Sequence, residues 1–102
     1  MTNKIKRALV TGGSGDIGEA ICLKLAASGL HVIVHANQNI TKADAVVEKI
    51  VSSGGNAESI SFDITQQATT QDAIEKILEQ GPIQILVNNA GMHQDAILAG
   101  MK

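Results

Sequence analysis

At 102 residues with 44% hydrophobic and 18% charged side chains, the chain is sized for one small globular domain and leaves no room for a second. A net charge of -2 provides no basic stripe, and the lone aromatic, Phe62, provides no platform for stacking bases, so nucleic acid is excluded as a partner. Lys4, Lys6 and Arg7 are followed by only three consecutive apolar residues, which excludes a signal-peptide core or membrane span there and points to a cytoplasmic protein.

The first strand is expected at Arg7 to Val10, and "DIGEAICLKLAASG" follows it with Ile17, Ala20, Ile21, Leu25 and Ser28 at helical spacing and Gly29 as the stop. Cys22 falls inside this helix, where it reads as a small core residue. It is a single cysteine with no internal disulfide partner and no cluster of metal-ligand spacing, so no metal is expected. "LHVIVHA" is a near-continuous apolar run, the pattern of a strand covered on both faces. "ITKADAVVEKIVSSGG" predicts a second helix with Thr41 and Asp44 at capping-box spacing, Ile40 as a staple, and Gly54 and Gly55 at its end. "AESISFDI" alternates and predicts the third strand. "TTQDAIEKILEQGP" predicts a third helix opened by Thr69 and Asp72 in the same relation and closed by Gly81 and Pro82. Then comes "IQILVNNAG", with the fourth strand over Ile83 to Val87.

This alternation predicts an α/β fold: a doubly wound parallel sheet of four strands in the order 3-2-1-4, joined by three crossover helices. The glycines sit where such a fold binds phosphate. "TGGSGDIG", Thr11 to Gly18, follows a strand and opens a helix, whose first N–H groups and positive dipole end suit a pyrophosphate. The other phosphate motif, G-x-x-x-x-G-K-[ST], fails for want of its Lys and Ser/Thr, which removes the ATPase reading.

"TGGSGDIG" after "ALV", the "FDIT" closing the third strand and the "NNAG" closing the fourth together resemble the N-terminal half of the short-chain dehydrogenase/reductase family, a Rossmann-type fold, over residues 5 to 102. The members most similar in look are the 3-oxoacyl-acyl-carrier-protein reductases. The loop departs from the usual T-G-x-x-x-G-x-G of the single-domain branch: Asp16 stands where glycine is expected, and Gly15 supplies the second glycine.

The resemblance implies a cofactor site of Gly12, Gly13, Ser14, Gly15, Asp16, Ile17 and Gly18 for the pyrophosphate. Asp63 and Ile64 would lie at the adenine, and Asn89, Ala90 and Gly91 would line the ribose and nicotinamide side. An NAD site places an acid at the end of the second strand. His35, Ala36, Asn37 and Gln38 stand there instead, all neutral, with Asn37 able to donate to a 2′-phosphate, so NADP is expected over NAD. His35 itself reads as a strand residue facing a helix, and His31 and His93 as residues with no partner of note.

The family's catalytic residues are a Tyr and Lys in Y-x-x-x-K, a Ser and a helical Asn, and this chain contains no tyrosine at all. The expectation is one partial dinucleotide-binding domain over residues 1 to 102, which on its own reduces no ketone. A stand-alone dinucleotide-binding or partner-interaction module is the alternative, and a vestigial product without activity is a third reading. The complete enzyme would take a ketone such as an acyl-carrier-protein-bound 3-oxoacyl chain. The apolar fourth strand, expected as an open edge, predicts a homo-oligomer joined through it.

Overall fold

A computed structural model describes residues 5–89. The elements run β1 (Arg7–Thr11), α1 (Asp16–Ala27), β2 (His31–Ala36), α2 (Ile40–Ser52), β3 (Asn56–Ser61), α3 (Gln67–Glu79) and β4 (Ile85–Asn88). All strand pairs are parallel and the order is β3-β2-β1-β4, as the alternation predicts.

Alternation along the central strands sorts the core into two layers, because successive side chains leave a strand on opposite faces. Val10, Val32, Val34 and Ala36 pack with Cys22 of α1 and with Ala43, Val46 and Ile50 of α2. Leu9 and Ile33 turn the other way, onto Phe62, Ile64 and the α3 residues Ile74 and Ile77. Helices α1 and α2 therefore cover one face and α3 the other.

The helix ends follow local chemistry, with corrections to the expected starts. Asn39, not Thr41, caps α2: its Oδ1 accepts the Thr41 N–H at 3.1 Å, and Ile40 is the first helical residue. A short Asn side chain two residues earlier reaches the same orphan N–H that the expected capping box would have left to Asp44. Helix α3 starts at Gln67, two residues before the expected Thr69, with Gln66 at the cap. It is anchored by Thr70, whose buried hydroxyl donates to the Asp63 carbonyl at 3.1 Å. Gly29 and Gly54 close α1 and α2 in paired bonds, Leu30 N–H to the Leu25 carbonyl and Gly55 N–H to the Ile50 carbonyl.

At the N-terminal edge of the sheet, Arg7 holds the end of α3, donating from Nη1 to the carbonyls of Ile77 (2.8 Å) and Gly81 (2.5 Å). A guanidinium suits carbonyls gathered at a helix C-terminus and the negative dipole end there. His31 does have a partner there, contrary to its sequence reading: Nε2 lies 2.7 Å from Glu58 Oε1. Among the described residues no helix is long and apolar enough to cross a membrane, and no group of His, Cys, Asp and Glu could hold a metal.

Candidate functional site: the strand ends and the glycine turn

Parallel strands bring their C-terminal ends to one edge, and the register Thr11↔Asn88 aligns the ends of β1 and β4 there. The turn Gly12 to Gly15, residues Asn37, Asp63, Ile64 and Asn89, and the N-terminus of α1 all emerge at this edge.

Each glycine of the turn answers a different demand. Gly12 has φ +65°, and Gly15 N–H bonds back to its carbonyl at 3.2 Å, closing the turn. A Cβ on Gly13 would meet Cys22 Sγ and the Val10 carbonyl at 3.0 Å and Val34 Cγ1 at 3.1 Å, so this glycine lets the turn settle onto the core. A Cβ on Gly18 would collide with the Gly12 carbonyl oxygen and lie 2.7 Å from Gly13 Cα, so α1 approaches the turn only because Gly18 has no side chain. Gly15 differs: a Cβ there would meet only the Gly12 carbonyl, at an ordinary 3.6 Å. The fold does not require glycine at 15, and the space beside it opens at the N-terminus of α1, which no side chain caps.

Asp16 begins α1, exposed, and lines a groove of about 530 Å³ along the helix with Ile17, Ala20, Ile21, Lys24 and Leu25. Ile17 is 72% exposed. Ser14 is half-buried in the turn. Glu19, the second acid of the first turn, pairs with Lys49 of α2.

The other expected site residues are held in a web of hydrogen bonds. Asn89 donates from Nδ2 to the Gly12 carbonyl at 3.1 Å, tying the end of β4 to the turn. Thr11, fully buried, donates from Oγ1 toward the Val87 carbonyl at 3.3 Å and has Asn88 Oδ1 at 3.0 Å. Asn37 is exposed, and its Oδ1 accepts the Ile64 N–H at 2.8 Å, which leaves the amide group as the donor end of that side chain. Asp63 Oδ1 accepts from Thr65 N–H (2.9 Å) and Thr65 Oγ1 (2.6 Å). The expected site residues Ala90 and Gly91 lie outside the described residues, as does His93.

Sequence reasoning missed the part played by His35. It lies 1% exposed on the α3 face of β2, with Gly12 N–H donating to Nδ1 at 3.0 Å and Nε2 at 2.8 Å from the Phe62 carbonyl. Its ring rests on that of Phe62, centroids 4.1 Å apart. Burial lowers the imidazole pKa from its ordinary value, and the Phe62 bond opposes that only in part. The available signal was parity: His35 follows Ile33 by two, so a polar ring had to enter the core and find partners there. Cys22, buried beneath the turn with its thiol 4.0 Å from the Gly13 carbonyl, has its pKa pushed up to about 12 by burial, and secondarily by Glu19.

A parallel sheet in the order 3-2-1-4 with a glycine turn opening the first helix defines a Rossmann-type α/β domain. A family model described as short chain dehydrogenase matches residues 6–102, and the chain belongs to that family. It is 42% identical over 96 residues to a 3-oxoacyl-[acyl-carrier-protein] reductase of Synechocystis sp., covering 93% of this chain and 39% of the relative. The 3-oxoacyl-[acyl-carrier-protein] reductase of Staphylococcus epidermidis is 39% identical over 98 residues, covering 95% of this chain and 40% of the relative. Among solved structures, a metagenomic short-chain oxidoreductase in complex with NADP superposes with a TM-score of 0.81 at 36% identity, over 85% of this chain and 39% of that one. A hydroxysteroid dehydrogenase from Escherichia coli gives 0.76 at 32% identity, over 81% and 35%. The chain thus spans about two fifths of the length of the curated relatives it matches.

Proposed function

We propose that this chain is the cofactor-binding portion of an NADP-dependent ketone reductase, acting in its complete form in the cytoplasm on 3-oxoacyl chains carried by acyl carrier protein, or on similar ketones. The observation that carries the reading is the open space at Gly15, a glycine the fold does not need, facing the uncapped start of α1. In support, two relatives near 40% identity are named for that reaction, and a neighbour in fold is a complex with NADP.

A bound nicotinamide dinucleotide would supply the hydride. The chain's own residues bind and orient it. Gly13, Ser14, Asp16, Ile17 and Gly18 would meet the pyrophosphate through backbone N–H groups, while Gly12 and Gly15, whose N–H groups bond to His35 and to the Gly12 carbonyl, would shape the turn around it. Asn37, with its oxygen committed to Ile64, would present its amide donors to the 2′-phosphate. Asp63 and Ile64 would flank the adenine, and Asn89, Ala90 and Gly91 the ribose and nicotinamide side. With no tyrosine among the 102 residues, this chain by itself holds a cofactor and transfers nothing.

Titration calorimetry with NADP⁺ and NAD⁺, paired with a ketone-reduction assay, tests this. The expected result is binding that favours NADP⁺, with no turnover. Absence of heat from both dinucleotides would overturn the reading. A second reading, a module that binds a partner without catalysis, draws on the exposed apolar face of α1 around Ile17. Capture of a partner that is lost on Ile17→Asp, with no dinucleotide binding, would favour it.

A further inference from the structure

Nothing in a glycine turn obliges it to hold its shape when the molecule it cradles is absent, since glycine leaves the backbone free to wander. Here the first residue of the turn is gripped from inside the core. The Gly12 N–H donates to His35 Nδ1 at 3.0 Å, so that nitrogen carries no proton, and Nε2, 2.8 Å from the Phe62 carbonyl, must carry one. One buried ring therefore links the start of the turn on β1 to the residue after β3, where Asp63 and Ile64 begin. The opposite side of Gly12 is held by Asn89, donating to its carbonyl at 3.1 Å.

We propose that His35 is a positioning residue for dinucleotide binding: its neutral ring, bonded to Gly12 and Phe62, sets the phosphate turn and the adenine-side loop in their binding shape before any ligand arrives. This rests on the cofactor reading of the site given above. The ring touches no ligand in this scheme; it acts through Gly12 and Phe62. It is also the point at which acid disarms the site. A proton on Nδ1 would face the Gly12 N–H, donor against donor, and burial already disfavours the charged ring. Among the titratable groups at this end of the sheet, Asp63 follows Phe62, Asp72 and Lys76 of α3 line a groove with Phe62 and Asp63, and Asp16 opens α1. Strands β1 and β4 bring no titratable side chain to this end of the sheet.

The test compares the full chain with His35→Asn and His35→Leu. Asparagine keeps an acceptor near the Nδ1 position but does not titrate, whereas leucine fills the space without an acceptor. Two readouts are taken between about pH 8 and about pH 5: hydrogen-exchange protection of the Gly12 amide by NMR, and the dissociation constant for NADP⁺. In the wild type, Gly12 protection is expected to fall with acid. In His35→Asn it should stay level, and in His35→Leu it should be lost at every pH while Leu9 and Ile33 keep theirs. Binding of NADP⁺ should weaken about tenfold in His35→Leu and recover in His35→Asn, the scale of one buried hydrogen bond. Equal Gly12 protection in all three proteins would overturn the proposal, as would wild-type affinity in a folded His35→Leu. If His35→Leu does not fold, the wild type and His35→Asn decide: parallel pH profiles would overturn the proposal and diverging ones support it. If the wild type binds no dinucleotide while Gly12 protection still follows the acceptor, the cofactor reading fails and the clamp stands.

Discussion

Gly15 and Gly18 stand three residues apart in one motif, yet the structure asks different things of them. Alanine at 18 drives a methyl group into the Gly12 carbonyl, so Gly18→Ala should destabilise the fold by about 1–3 kcal/mol in a denaturant titration. Alanine at 15 meets only an ordinary contact, so Gly15→Ala should shift stability by less than about 1 kcal/mol while weakening NADP⁺ binding about tenfold or more. Equal effects of the two substitutions on stability would contradict this division. His35 adds a pH dependence whose sign follows from its lowered pKa. The unfolded chain takes up a proton more readily, so this contribution to stability is complete above the ordinary value of 6.5 and is lost as pH falls through the folded value. Unfolding measured against pH should show that decline in the wild type and a smaller one in His35→Asn. The Cys22 thiol, buried and raised to about 12, should resist a thiol reagent in the native protein and react once denaturant is added.

At the scale of elements, the caps give the sharpest check. Asn39→Ala removes the acceptor of the Thr41 N–H and should cost about 1 kcal/mol, whereas replacing the Thr41 side chain should cost far less, a contrast that thermal unfolding of the two variants measures directly. The order of strands and helices was legible because hydrophobic period and turn residues agreed along the whole chain: "LHVIVHA" could be little else than a doubly covered strand, and Gly29 and Gly54 did end helices. Starts were less legible. Ser, Thr, Asn and Asp compete for one capping role, and only the path of the backbone decided between Asn39 and Thr41. At the site, the glycine spacing announced the turn, and Asn37, Asp63 and Asn89 do converge on its edge. What spacing could not announce was the bonding between them: that Asn37 spends its oxygen on Ile64, or that His35 reaches both Gly12 and Phe62. Those contacts join residues 23 to 77 positions apart, and no local pattern records them.

For the molecule as a whole, the sheet orders its strands so that, among the described residues, β4 is bonded on one side only, to β1, and its four residues are half-buried. A strand edge of this kind is a template for another strand. We expect the chain to associate through β4, giving a dimer in sedimentation experiments that grows with concentration; a monodisperse monomer at high concentration would contradict this. The bond web at the C-terminal ends of the strands underlies the proposal that the turn from Gly12 to Gly18 is a dinucleotide cradle built before its ligand. The most direct test is an amide NMR titration of the full chain with NADP⁺. Shifts are expected at Gly13 to Gly18, Asn37, Asp63 and Ile64, with the Arg7 and His31 edge of the sheet silent. No shifts, or shifts gathered at that far edge, would contradict it.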